Sequence, residues 1–177
     1  MLNFIYSNFK HFMFGFLLIS RLGDVLSTLF ATPKLKFESN IVAKKLGKSY
    51  MFLTLLISFV AYYDIAISIV ILIPSLLVSA SNIGKIWVIR TFGEDNYYEL
   101  IMKLIKKNGV IKLILLNVLS SLFIILIAVI IFILYPEQQD WGFWIAYGFL
   151  LYGIIVIFWG TINSIIMHFK TKKMEIN

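Results

Sequence analysis

Arg21, Asp24, Ser27 and Thr28 follow one another at spacings of three, three and one inside an otherwise apolar stretch. With Ser20 they fall within about 120° on a helix that turns 100° per residue, and Leu22, Val25, Leu26, Leu29 and Phe30 fill the other side. A central arginine or aspartate costs roughly 2.5–3.5 kcal/mol on the membrane-insertion scale, against about 0.3–0.6 gained per large apolar residue. Two such charges nearly cancel the apolar residues around them. The spacing therefore calls for an Arg21–Asp24 pair, for neighbouring helices, or for both, and an intramembrane ionisable residue marks a functional site by default.

Downstream, "ATPKLKFESN" carries Pro33, which ends the first helix because the residue before a proline is pushed out of α geometry. Glu38 and Asn40 follow in a lysine-rich loop. Asp24, Thr28, Glu38 and Asn40 are oxygen ligands of the kind a hard cation accepts, so a loop folded back over the helix end makes Asp24, Glu38 and Asn40 candidate metal ligands. In the alternative, Glu38 and Asn40 cap the second helix, with Asn40 as N-cap, and Asp24 only neutralises Arg21.

The pattern R-x-x-D-x-x-S-T, then A-T-P-x-L-x-x-E-x-N, then K-x-x-G runs over residues 21–47. It resembles a group of small bacterial polytopic membrane proteins of uncharacterised function, with D-x-x-[ST]-T on the first helix and E-x-N-P in the next loop. Arg21, Asp24, Ser27, Thr28, Glu38 and Asn40 match that pattern, and Ile41 stands where the proline is expected. The resemblance implies a polytopic bundle and supplies no activity.

The elements that must position these residues are legible in composition. Of 177 residues, 60% are apolar and only 14% charged, whereas a soluble domain is nearer a quarter charged. Mean hydropathy is +0.92. We expect an all-α polytopic membrane bundle forming one domain over 1–177, with spans at about 12–32, 48–63, 65–86, 111–135 and 141–167. A helix running unbroken from Tyr50 to Ile86 would be about 55 Å long, far beyond one ~30 Å hydrocarbon core, so the run must break, best at Asp64. With five spans and the N-terminus outside, 14 of the 16 basic residues face the cytoplasm, leaving Lys10 outside and Arg21 in the first span. Tyr62, Tyr63, Tyr135, Trp141 and Trp144 then gather at the outer interface, with Tyr50 and Trp87 at the inner one.

The segment at about 94–108 opens with Glu94, Asp95 and Glu99 and closes with Lys103, Lys106 and Lys107, which complements a helix macrodipole. It reads as a short amphipathic helix on the cytoplasmic surface or as a solvated connector. Ser68, Ser75, Ser79 and Asn82 share one face of the third span. Asn117, Ser120 and Ser121 cluster in the fourth, and Gly160, Thr161, Ser164 and His168 share a face of the fifth. Small and hydroxyl residues so spaced serve mainly as helix-packing positions.

No cysteine is present, which excludes disulfides and thiolate chemistry. There is no H-E-x-x-H, G-x-S-x-G, P-loop or Gly-rich nucleotide fingerprint. The net charge of +7 sits in short loops between apolar runs, as the positive-inside bias requires, and is no nucleic-acid signal. These observations point to a protein of the cell membrane whose polar core binds or conducts a small ion, or which joins a partner membrane subunit. The competing readings are a membrane-embedded enzyme acting on a lipid-phase substrate and an effector or sensor forming homo-oligomers through its serine-rich faces. The bilayer is the one partner common to all three, and no cofactor is specified.

Overall fold

The computed structural model describes residues 2–36 and 45–176, with side chains for 8–36 and 45–171. Glu38 and Asn40 lie outside the described residues. The fold is an all-α bundle, and no strand occurs among the described residues. Helix α1 spans Leu2–Ala31; α2 is Lys48–Leu53, followed directly by a 3₁₀ segment Thr54–Phe59 and by α3, Val60–Tyr63. Then come α4, Ile65–Phe92; α5, Glu94–Asn108; α6, Val110–Leu134; and α7, Trp141–Ile176. Among the described residues, four stretches are long and apolar enough to cross a membrane: Asn8–Ala31, Ile65–Phe92, Val110–Leu134 and Trp141–Thr171.

The expected break at Asp64 is present and has a simple cause. Asp64 is extended (φ −145°, ψ 120°), and its Oδ1 accepts the Ile67 N–H at 3.0 Å, capping α4. The second expected span is Lys48–Tyr63, a shorter apolar element that includes the 3₁₀ segment. It runs antiparallel to α1. Met51 clusters with Val25, Thr54 meets Arg21, Phe59 stacks near Phe14, and the Tyr62 hydroxyl pairs with His11. The steeper rise of the 3₁₀ segment stretches these residues to about 27 Å, where a continuous α-helix would reach about 24 Å.

Many polar residues are buried and the surface is largely apolar. Ser58, Ser68 and Ser121 are fully buried at 0% exposure, while Ile111 and Ile133 are 71% and 73% exposed. Water-soluble folds bury their isoleucines and expose their serines. The inversion is what a lipid-embedded protein requires, because helices in lipid associate through close packing and hydrogen bonds instead of apolar burial. Gly148 and Gly153 make that packing possible on α7. A Cβ at Gly148 would stand 2.8 Å from Ile73 on α4, and one at Gly153 would stand 2.7 Å from Ile125 on α6. The small-residue faces of α6 and α7 also meet directly, with Asn117 Nδ2 donating to Ser164 Oγ at 3.4 Å.

Helix α5 occupies the segment read as amphipathic and hangs between two glycines in the left-handed region, Gly93 (φ 77°) and Gly109 (φ 79°). Any L side chain at either position would be strained. Its apolar face packs on α7 through Met102, Ile105 and Met167.

Candidate functional site

The polar stripe of α1 faces the bundle interior, and each of its members has a specific partner. Arg21 Nη1 donates to Asp24 Oδ2 at 2.8 Å, and the two side chains are 16% and 17% exposed. The same Nη1 reaches Ser75 Oγ on α4 at 3.2 Å, and Nη2 reaches Thr54 Oγ1 in the 3₁₀ segment at 2.8 Å. Thr54 is oriented for this by donating its own proton to the Met51 carbonyl at 2.6 Å. Ser75 likewise donates to the Ile71 carbonyl at 3.0 Å, which leaves its oxygen free to accept. One residue earlier, Pro74 has no N–H to offer the Val70 carbonyl, so the helix ladder is already interrupted at the depth of Arg21.

Further along, Asn82 Nδ2 on α4 donates to Thr28 Oγ1 at 2.8 Å and to Ser27 Oγ at 3.4 Å. Ser27 and Ser20 donate back to their own helix, at the carbonyls of Asp24 and Leu17. The six residues singled out in the sequence thus divide. Arg21, Asp24, Ser27 and Thr28 are brought together with Thr54, Ser75 and Asn82. Glu38 and Asn40 lie outside the described residues.

Around this network lies a cavity of about 710 Å³. Arg21, Asp24, Thr28, Thr54, Ser75 and Asn82 line one side. Tyr152, Trp159 and Asn163 of α7, Lys85 of α4, and Tyr97 and Ile101 of α5 line the rest. The volume lies within the range of pockets that hold small ligands. No known protein family, curated protein or solved structure matches this chain. Its chemistry must be read from the cavity itself.

Among the described residues no group of three or more His, Asp or Glu side chains converges as a metal site. At Asp24 a divalent cation would meet the Arg21 guanidinium 2.8 Å away, which opposes the binding of positive charge. The two histidines sit at opposite ends. His11 pairs with Tyr62, and His168 Nδ1 is buried in α7 without a hydrogen-bond partner.

A second polar assembly closes the end of the cavity where α1 stops. The Glu94 carboxylate is buried and accepts two backbone N–H groups of the following loop, Lys34 N at 2.7 Å and Lys36 N at 2.8 Å. Between them Leu35 is left-handed (φ 53°), a conformation that costs an L residue about 1–2 kcal/mol. Leu35 is nonetheless buried against Val25 and Met51, so Glu94 and this cluster hold the turn in place. Asp95 binds the Lys34 and Lys36 ammonium groups, and Lys36 lies 5.5 Å from the centre of the Tyr98 ring. Hydrogen bonds from Lys34 and then Lys36 pull the Asp95 carboxyl down to about 2, and the Asp95 hydrogen bond raises Lys36 above its usual range. These ties place α5 so that Tyr97 and Ile101 line the cavity, as do Ala31 and Thr32 at the end of α1.

Sequence reasoning grouped Ser75 and Asn82 on a polar face but missed Thr54, Lys85, Trp159 and the role of Glu94. Thr54 had a signal, being the one polar residue in "MFLTLLI".

Proposed function

We propose that this chain is a multi-pass protein of the cell membrane that binds a small ion or polar ligand in the cavity around Arg21. The supporting observation is an ion pair held by two other helical segments at the wall of a 710 Å³ cavity. A charge pair that served only packing would need no such space beside it. Thermal melts of the purified protein with monovalent and divalent cations, chloride, phosphate and small carboxylates, alongside native mass spectrometry for a retained molecule, test the reading. A ligand at 100 times its Kd adds about 2.7 kcal/mol, which raises Tm by about 5–10 °C for a chain of this size. Asn82→Leu should diminish that shift while leaving the protein folded. A wild-type protein that retains nothing and responds to none of these ions would overturn the proposal.

The same reading carries five spans with the N-terminus outside. The antiparallel course of Lys48–Tyr63 beside α1 supports a crossing between the first span and α4. Reporter fusions after Asp64, Phe92, Gln138 and Asn177 should alternate outside, inside, outside, inside. A cytoplasmic signal at Asp64 would sink the five-span arrangement.

A further inference from the structure

Helices α4 and α7 run parallel, because Ile69 packs near Trp144 and Ile73 stands over Gly148. Continuing both helices from that contact brings Lys85, twelve residues past Ile73, level with Trp159, eleven past Gly148. Asn163 follows one turn further on the same face of α7. All three line the cavity. They lie nine or more residues past the level of Ser75, the Arg21 contact, and so about 14 Å or more nearer the lysine-rich end of the bundle.

This end of the cavity is rich in hydrogen-bond donors. Lysine ammonium and indole N–H groups donate and cannot accept. Among the described residues, the Lys85 ammonium, the Trp159 indole and the Asn163 amide have no hydrogen-bond partner, and Lys85 forms no ion pair. Among the described residues, three carboxylates lining or closing the cavity are already engaged: Glu94 by two backbone N–H groups, Asp95 by two lysines, Asp24 by Arg21. Lys34, Lys36 and the lysines of α5 add to the positive field. A lysine ammonium and an indole lining one cavity toward the lysine-rich end of a membrane bundle are groups suited to an anionic headgroup.

We propose that Lys85, Trp159 and Asn163 form an anion subsite at the cytoplasmic mouth of the cavity and that its ligand is a phosphate group. This rests on the cavity being a ligand site but is independent of what binds at Arg21. A phosphate offers several acceptor oxygens to match the ammonium, indole and amide donors, and its charge complements the surplus cation. The phosphate comes either from an anionic phospholipid of the inner leaflet or from free phosphate.

Native mass spectrometry of protein released from nanodiscs of phosphatidylcholine with or without phosphatidic acid tests the subsite, together with thermal melts in inorganic phosphate. Wild-type protein should retain phosphatidic acid in preference to phosphatidylcholine, or be stabilised by inorganic phosphate alone. The first result assigns the lipid source and the second the free ion. Lys85→Gln and Trp159→Phe should each weaken retention about tenfold, and Lys85→Arg should restore most of it. Equal retention of both lipids with no phosphate response would overturn the proposal, as would a Lys85→Gln protein that binds like wild type. Should the subsite fail while an ion still stabilises the protein through Asn82, only this inference falls; loss of every ligand response removes the proposed function with it.

Discussion

Replacing Asp24 with asparagine should lower the thermal midpoint of the purified protein by roughly 5–10 °C, and replacing Arg21 with leucine should do the same. Each change strands one charge inside the bundle, at a cost of about 2.5–3.5 kcal/mol on the insertion scale. A chain of this size loses about 2–4 °C per kcal/mol. The loss in Asp24→Asn falls toward the lower end, because Thr54 and Ser75 still accept hydrogen bonds from the Arg21 guanidinium. Arg21→Leu leaves the Asp24 carboxylate without its 2.8 Å partner and also deprives Thr54 and Ser75 of their donor. The double variant removes both charges and should recover part of either loss, since the stranded group is gone. Strictly additive losses across the four proteins would mean that the two charges do not support each other. Thr54→Val provides a graded control. It removes one hydrogen bond to a charged group, worth about 1.5–3 kcal/mol, and keeps the ion pair.

What was legible in the sequence follows from how local each interaction is. The Arg21–Asp24 pair sits at i,i+3 on one helix, so spacing alone brings the two together. The break at Asp64 came from length, because no membrane accommodates the unbroken alternative. The facing stripes of α6 and α7 were readable as packing surfaces for the same reason that Asn117 and Ser164 now touch: small and polar residues recur at helical intervals. Thr54 was not legible as an Arg21 partner. The two are 33 residues apart, and their meeting depends on the antiparallel course of Lys48–Tyr63. Lys85 was counted as one more cytoplasmic charge, which is all that a topology rule asks of a lysine. Its place in the wall of the same cavity as Trp159 depends on the relative register of α4 and α7, fixed where Ile73 meets Gly148. Glu94 is the sharpest case. Its acidic position suits the start of a helix, and nothing in a side-chain pattern discloses that its carboxylate is spent on backbone N–H groups of a distant loop.

That hidden role makes Glu94 the position where a conservative change should have the largest local effect. Glu94→Ala removes the acceptor of both Lys34 N and Lys36 N and leaves the left-handed Leu35 turn without its brace. Hydrogen bonds to a charged group are worth about 1.5–3 kcal/mol each. Losing the pair should raise hydrogen exchange at residues 33–36 and 94–101 by about a hundredfold, equivalent to about 2.7 kcal/mol. Exchange in the middle of α6, beyond the Leu113 end that packs on α5, should stay unchanged. Glu94→Gln keeps one carbonyl oxygen but turns the other acceptor into a donor facing a backbone N–H, so it should fall between wild type and alanine. Asp95→Asn tests the neighbouring ion pairs and should be distinguishable by pH. The Asp95 carboxyl is lowered to about 2 from an ordinary 3.8, so its contribution is complete above about 3.8 and fades as the pH drops through about 2. Lys36 is raised, so its share is complete below 10.5 and fades as the pH climbs past its folded value. The difference between wild type and Asp95→Asn should therefore be flat from about pH 4 to about pH 10 and close at either extreme. Because Asp95 is solvent-exposed, added salt should shrink that difference, whereas the Glu94→Ala defect, which rests on buried hydrogen bonds, should persist. Unchanged exchange at residues 33–36 in Glu94→Ala would show that α5 is held over the cavity by Met102, Ile105 and Met167 alone.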